Sequence, residues 1–225
     1  MTEIRLLRPD EIDARVQRVT PKGVMLLLYK DARCDMNILD ETFGAMGWQR
    51  KHEVIDGRLY CTVSVWDDDK KQWISKQDVG TESNTEKEKG QASDSFKRAC
   101  FNIGIGRELY TGPFIWFNTG EADVREGKCF DGFKVKELQY AGRKIASVTI
   151  EDTKTHCIKE FKTDAMDERI GEKEGLVLHK ILEGAGSDVG ALLKYYKIDS
   201  LGKLTWIQRN RILRKVEEKR EQVQK

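Results

Sequence analysis

The spacing of apolar residues at the start of the chain predicts a helix followed by a strand. The segment "RPDEIDARVQRV" at 8–19 places Pro9 near a first turn with acidic residues after it, which is typical of a helix start. The apolar run at 23–30 is too short for a helix and follows Pro21, so it predicts a buried strand.

A second helix is predicted from the next apolar residues. Met36, Leu39 and Phe43 recur at i, i+3 and i+7, which places them on one helix face. Gly44 or Gly47 is expected to end this helix, because glycine readily adopts the left-handed conformation of a helix C-terminus.

From Trp48 onward the period changes to two, which is the period of a strand. Asp56-Gly57 separates two runs rich in strand-forming residues, and both central positions of a type I′ turn need positive φ. These features predict a β-hairpin. The polar residues 67–72 then form a turn, and residues 73–79 form a third strand.

A long helix is predicted over about 85–103. Two capping boxes, Ser83-x-x-Glu86 and Thr85-x-x-Glu88, mark its start, and Gly104 or Gly106 marks its end. One side of this helix has the width of a stripe that packs on a sheet. The residues of that side are Ala92, Phe96, Ala99, Cys100 and Ile103.

The other side of this helix carries the adjacent cations Lys97 and Arg98. Asp94 lies three and four residues before them, so its carboxylate is expected to hold either cation in position. The pair is either an ordinary solvated surface with a salt bridge or a binding site for a polyanion.

Small residues in the same helix favour the polyanion. Gly90 costs about 1 kcal/mol relative to alanine in a helix, and Ser93 and Ser95 are indifferent helix formers. We interpret these three residues as clearance that lets a bulky polyanion approach Lys97 and Arg98.

The C-terminal part of the chain changes from strands to helices. Residues 127–161 predict two or three further strands, and residues 164–173 form a charged linker. Three helices are expected at about 172–183, 187–197 and 205–222. The chain is therefore α+β, with an antiparallel sheet packed on a long helix and a small helical module behind it. The predicted divisions are a first domain at 1–163, the linker at 164–173 and a module at 174–225.

Composition and charge restrict the possible functions. The 225 residues are 39% hydrophobic and 35% charged, as in a globular protein, and no run of about 18 apolar residues or signal pattern occurs. We therefore expect a cytoplasmic protein without a membrane segment. Five widely spaced cysteines without a CxxC pair favour free thiols over a zinc site. The net charge of +2 means that a nucleic-acid surface requires segregated basic residues.

Other basic and aromatic residues are candidates for the same surface as Lys97 and Arg98. Cations contact phosphates without reading sequence, and aromatic rings stack on bases. Trp48 is alternatively a core residue. The alternative for Arg50, Lys51 and Lys87 is an ordinary solvated charge. The candidates are Arg33, Trp48, Arg50, Lys51, Lys87 and Arg107.

Catalytic patterns are weak, so we expect a protein that is not an enzyme and needs no cofactor. Asp67, Asp68 and Asp69 lie in a turn, where acids favour local hydrogen bonds, and a metal-dependent nuclease is the alternative interpretation. No phosphate-binding GxxxxGK[ST] loop occurs. The three histidines lie on different predicted elements, without a partner signature.

The block from about Leu7 to Tyr110 resembles the annealing domain of the Rad fifty-two family and its phage relatives, the single-strand annealing recombinases. The matching segments are "YKDAR", "LDETFGAMGW", a hairpin with a third strand that ends in "DVG", and "EKEKGQASDSFKRACFNIGIGREL". The last segment is the most specific, because its acid-lysine alternation, "FKRA" and glycine stop occur together in that family.

The resemblance implies a β-β-β-α core whose subunits assemble into rings or helical filaments. Single-stranded DNA would lie in a groove at the foot of the long helix, with bases outward for pairing to a second strand and with no nucleotide cofactor. Lys97 and Arg98 match the phosphate-contacting pair, and Arg33 lies on or next to a groove arginine. Phe101 and Ala45 depart from the eukaryotic pattern of a further arginine and an aromatic residue. Phosphate contacts are then expected from Arg107, Arg50 or Lys51.

The resemblance does not cover residues 165–225. Phage annealing proteins often carry a helical module there that recruits the host single-strand binding protein or a phage exonuclease. Its basic last helix is expected to bind an acidic peptide tail or DNA, or is simply solvated. The cations of that helix are Arg209, Arg211, Arg214, Lys215, Lys219 and Arg220.

The expected function is ATP-independent annealing of complementary strands in DNA recombination and repair, in the cytoplasm of a bacterial host. The expected partners are single-stranded DNA and other copies of the chain. Two alternatives stay open: a metal-dependent nuclease that uses Asp67 to Asp69, and an oligomeric scaffold without its own DNA site.

Overall fold

The structure is a computed structural model that describes residues 3–81 and 87–223. It is a mixed α+β fold with antiparallel sheets, which confirms the predicted fold class. Among the described residues, no helix is long and apolar enough to cross a membrane.

The helices and strands are numbered in chain order. The helices are α1 (Ala32–Phe43), α2 (Lys87–Ile103), α3 (Gly171–Gly184), α4 (Val189–Tyr196) and α5 (Trp206–Val223). The strands are β1 (Asp13–Thr20), β2 (Gly23–Tyr29), β3 (Trp48–Ile55), β4 (Arg58–Asp67), β5 (Gln72–Val79), β6 (Ile115–Asn118), β7 (Val124–Arg125), β8 (Lys128–Cys129), β9 (Phe133–Ala141), β10 (Lys144–Asp152) and β11 (Ile158–Lys162).

The strands form three sheets. The largest has the order β11-β10-β9-β1-β2-β6, the second has the order β3-β4-β5, and β7 and β8 form a short ribbon. In the second sheet Ile55 pairs with Arg58, and the turn residues Asp56 and Gly57 have φ of 49° and 72°. The predicted Asp-Gly hairpin is confirmed, as is the third strand, because β5 pairs with β4 over its whole length.

The chain forms two compact units. The first comprises Met1–Thr111, Ile115–Lys136 and Ile150–Ile158, and the second comprises Gly112–Phe114, Glu137–Thr149 and Lys159–Lys225. Residues 137–149 and 159–163 thus share a unit with the three C-terminal helices. The segment at 164–173, predicted as a linker, begins with a 3₁₀ turn whose Ala165 and Met166 are buried.

The prediction of a helix at 8–19 is wrong. The chain makes one 3₁₀ turn at Pro9–Glu11 and then continues as β1. A β-bulge shifts the pairing with β2 between Val16 and Arg18. The extra residue breaks the alternation of a strand and leaves Ile12, Val16 and Val19 at i, i+4 and i+7, which imitates a helix.

In the first unit, α2 packs on strands β4 and β5. Its described part begins at Lys87, so the predicted capping residues at 83–86 lie outside the described residues. After Ile103 the chain turns at Gly104 and Gly106, whose φ of +126° and +75° strain any residue with a side chain. The predicted end of the helix is confirmed. The core between helix and sheet contains Cys61, Val63, Val65, Phe96, Ala99 and Cys100.

A buried ion pair links α1 to the segment before it. Lys30 is 6% exposed and its Nζ contacts Oδ1 of Asp35, which is fully buried. Burial raises the pKa of Asp35 to about 6, against the opposing positive charges of Lys30 and Lys97. A methyl group at Gly106 would overlap Cε of Lys30, so glycine is needed there for close packing as well as for its φ.

The second unit contains the three predicted C-terminal helices, which are confirmed as α3, α4 and α5. A capping box begins the last helix, because the N–H of Gln208 donates to Oγ1 of Thr205 and the N–H of Thr205 donates to Oε1 of Gln208. Asp188 caps α4 by accepting a hydrogen bond from the N–H of Ala191. The buried core of this unit is Ile170, Leu178, Leu182, Leu201, Leu204, Ile212 and Val216.

Candidate nucleic-acid interface

The two adjacent cations of α2 point toward different neighbours. Consecutive helix residues differ by about 100° around the axis, since one turn takes 3.6 residues. Nε of Arg98 donates to Oδ1 of Asp78 on β5 at 3.2 Å. Burial raises the pKa of Asp35 on α1, and Lys97 lies close enough for its positive charge to oppose that rise. Lys97 and Arg98 therefore lie on the two flanks of the outer side of α2 and leave a strip between them.

Asp94 does not have the role that the sequence predicted. Its Oδ2 accepts hydrogen bonds from the N–H and Oγ1 of Thr81, at 2.9 and 3.0 Å. Asp78 holds Arg98 instead, and its other oxygen accepts from Nδ2 of Asn102 at 3.1 Å. Spacing along one helix could not show that a carboxylate on the neighbouring strand lies within reach.

The interpretation of the small residues is wrong for Ser95. This side chain is fully buried against the sheet, and its Oγ donates to the carbonyl oxygen of Ala92 at 2.9 Å. A methyl group at Gly80 would lie 2.8 Å from the N and 3.0 Å from Cβ of Ser95. The small side chain of Ser95 thus permits close packing of α2 on the end of β5. It provides no clearance for a ligand.

Arg107 closes the C-terminal end of α2. Its Nε and Nη2 donate to the carbonyl oxygens of Phe101 and Asn102, each at 2.7 Å. Its guanidinium carbon lies 5.7 Å from the ring centre of Phe101. The ring of Tyr110 packs edge-on against Phe101, with centroids 4.9 Å apart. The end of the helix therefore carries one cation and two aromatic rings.

Trp48 and Arg50 come together on the ring of Phe96. The Trp48 ring stacks on Phe96 with centroids 6.1 Å apart, and the Arg50 guanidinium carbon lies 5.0 Å from the same ring. Nε1 of Trp48 donates to Oδ1 of Asp40 on α1 at 2.7 Å. These contacts place both residues on the same side of α2 as Lys97, the side that faces α1.

Lys51 lies on the opposite face of the sheet. Successive strand residues point to opposite faces, and Nζ of Lys51 contacts Oε1 of Glu53 at 2.7 Å. The structure therefore separates Lys51 from Arg50, although the sequence suggested both as contacts of one ligand.

Arg33 and Lys87 are the remaining candidates. The side chain of Arg33 is 84% exposed in the first turn of α1, where its Nε donates to Oδ2 of Asp31 at 3.0 Å. Asp31 also caps α1 by accepting from the N–H of Cys34. The backbone of Lys87 begins α2, but its side chain lies outside the described residues.

The acidic turn after β4 is held by its own hydrogen bonds. Asp67 accepts from the N–H of Lys70, which lowers the pKa of Asp67. Asp68 accepts from Nε1 of Trp66 and contacts Nζ of Lys71. Across the parts of the chain that the structure describes, no group of three or more histidines, cysteines, aspartates or glutamates is arranged to hold a metal ion.

Two contributors to the site were missed by sequence reasoning. Asp78 positions Arg98, and Tyr110 is 79% exposed beside Phe101. The alternation of β5 was a usable signal for Asp78, because it assigns this residue to the face that packs on the helix. Tyr110 had no periodic signal, since it lies in a 3₁₀ turn.

Comparisons with known proteins add no relative to this description. No family model matches the sequence, and no curated protein matches it. The likeness to the annealing recombinases therefore rests on the sequence segments quoted above, and the functional interpretation rests on the geometry of α2 and its neighbours.

Proposed function

We propose that the protein binds single-stranded DNA and promotes ATP-independent annealing of complementary strands as a homo-oligomer. The observation that carries this proposal is the outer side of α2. Lys97 and Arg98 lie on its two flanks, toward α1 and β5 respectively. An extended polyanion can contact cations on both sides of such a strip. A single salt-bridged pair on a surface would offer it no such path.

A surface of this kind can promote annealing without catalysing a chemical reaction. Lysine and arginine contacts to phosphates neutralise charge and release counterions, whatever the base sequence. Phosphates held against the helix leave the bases of the strand available to a second strand. Base pairing then supplies the free energy of annealing, and the protein supplies an extended and oriented strand.

The side of α2 that faces α1 extends this surface. Arg50 is exposed and lies over Phe96, next to Trp48. A guanidinium stacked on a ring has fewer accessible orientations than a free side chain, so less freedom is lost when it contacts a phosphate. We assign Arg50 to the interface with Lys97, and we leave Lys51 out of it.

Adjacent residues provide a matched test of this assignment. Arg50→Gln is expected to weaken binding of single-stranded DNA by about tenfold or more, because one charged contact contributes about 1.5–3 kcal/mol. Lys51→Gln removes the same charge one residue away, on the opposite sheet face, and is expected to change affinity by less than about twofold. Fluorescence anisotropy with a labelled oligonucleotide measures both.

Thermal unfolding of the two variants is the control, since Arg50 also packs on Phe96. Equal losses of affinity in Arg50→Gln and Lys51→Gln, with both variants folded, would show that the protein contacts DNA through net charge alone. A loss confined to Lys51→Gln would place the DNA on the other face of the sheet.

The second unit is the proposed site for protein partners. Arg209 of α5 forms an ion pair with Glu174 of α3 and lies over Trp206, so it belongs to the packing of its own unit. Arg214 and Lys215 are exposed further along α5. We propose that residues 174–225 bind a protein partner. That partner is either an acidic segment, such as the tail of the host single-strand binding protein, or a phage exonuclease.

A further inference from the structure

The C-terminal end of α2 exposes an aromatic pair that phosphate binding does not explain. Tyr110 is 79% exposed, and its ring meets that of Phe101 at 4.9 Å between centroids and 63° between planes. Phe101 is half-buried between Tyr110 and the guanidinium of Arg107. The three side chains form a patch whose outer member is a large ring in contact with solvent.

This patch suits a nucleobase better than a phosphate. The C-terminal end of a helix carries a partial negative charge from its last carbonyl groups, which repels anions. The nearest cation, Arg107, donates two of its N–H groups to those carbonyl oxygens. An aromatic face, in contrast, stacks on any base, because every base has a π surface.

The patch lies where a strand held by Lys97 and Arg98 would continue. Phe101 follows Lys97 by four residues, so it lies about one helical turn further along the same side of α2, roughly 6 Å along the axis. Around the axis, the positions of Lys97 and Arg98 flank that of Phe101, at about 40° and 60° from it. A strand bound by both cations would thus pass Phe101 and Tyr110.

We propose that Tyr110, supported by Phe101, is a stacking site for one base of each bound segment of single-stranded DNA. This inference rests on the proposed function, because it assigns a base contact to the same strand. It also gives Phe101 a role, because the ring of Phe101 packs against that of Tyr110 and supports it.

The test compares two ligands of equal length and charge: an oligothymidylate and its abasic counterpart, which keeps the sugar-phosphate chain without bases. Tyr110→Ala is expected to weaken oligothymidylate binding by about tenfold, as for loss of one stacked base, and to leave abasic binding unchanged. The slope of affinity against salt concentration is expected to stay the same, because no phosphate contact is removed.

Two control variants make the result specific. Tyr110→Trp keeps a ring and is expected to bind oligothymidylate at least as tightly as the unaltered protein. Tyr195→Ala removes a ring of similar exposure, 75%, which packs edge-on against Tyr196 in the second unit. It is expected to bind both ligands as the unaltered protein does.

The outcomes separate this inference from the proposed function. If the unaltered protein binds both ligands, and Tyr110→Ala either weakens both equally or weakens neither, the stacking site is overturned and the DNA-binding function stands. If the unaltered protein binds neither ligand at low salt, the proposed function fails, and the stacking site fails with it.

Discussion

Replacing Lys97 and Arg98 together by alanine is expected to weaken binding of single-stranded DNA by on the order of a hundredfold or more. Two charged contacts are removed, and each contributes about 1.5–3 kcal/mol. The slope of log affinity against log salt should also become shallower by about 1.4, since each lost phosphate contact accounts for about 0.7 on a single strand. Titration of a labelled oligonucleotide at several salt concentrations measures both effects.

The fold should survive this change. Arg98 is exposed and pairs with Asp78, an interaction of the kind that contributes about 0–1 kcal/mol at a surface. The matched control replaces two exposed lysines of α3, Lys173→Ala with Lys180→Ala, which removes the same charge from the second unit. Comparable loss of affinity in the control, or unchanged binding by the α2 variant, would contradict the assignment of Lys97 and Arg98.

Replacing Lys30 by methionine is expected to lower the free energy of unfolding by about 3–5 kcal/mol, because it leaves the carboxylate of Asp35 buried without its partner. The pKa of Asp35, already raised to about 6 by burial, would rise further without the Lys30 charge. As pH falls, the folded protein then takes up a proton that the unfolded chain does not yet bind. Part of the lost stability should therefore return between about pH 8 and about pH 5.

Denaturant unfolding at both pH values measures this effect. The control combines Lys30→Met with Asp35→Asn, which removes both charges and keeps the shape of the acid. The double variant should recover most of the stability and lose the pH dependence of the single variant. A single variant that is nearly as stable as the unaltered protein would show that Asp35 does not need Lys30. A loss of the same size at both pH values would show that the charge of Asp35 is not its cause.

Local patterns predicted the β3–β5 sheet and α2 well because the decisive information was local. Asp56-Gly57 specifies a turn by its own backbone preferences, and the alternation on either side specifies the strands. Gly104 and Gly106 end α2 because glycine adopts their positive φ values at low cost, whereas any residue with a side chain would be strained there. The hairpin turn and the φ values of the two glycines are properties of the residues themselves, although Gly106 also packs against the distant Lys30.

The failures arose where the structure depends on a partner far along the chain or on an irregular strand. The bulge at Val16 gave β1 the spacing of a helix. The pairing of Arg98 with Asp78, rather than with Asp94, spans 20 residues and two elements. The close approach of Ser95 to Gly80 also depends on how α2 packs on the sheet.

The candidate site was predicted in part. Residue type identified Lys97, Arg98, Arg50 and Arg107 as cations of one region, and the structure places all four on or around α2. Strand alternation separates Lys51 from this group, because adjacent residues of β3 point to opposite faces of the sheet. Sequence position alone also could not show that Phe101 would support the exposed ring of Tyr110.

The rate at which complementary strands anneal is the direct measure of the proposed function. Two complementary oligonucleotides, labelled for energy transfer, are mixed at low concentration with the protein and without any nucleotide. We expect the unaltered protein and the Lys173→Ala, Lys180→Ala control to accelerate duplex formation, and we expect the Lys97→Ala, Arg98→Ala variant not to do so. Equal rates with and without the unaltered protein, or unchanged acceleration by the α2 variant, would contradict the proposed function.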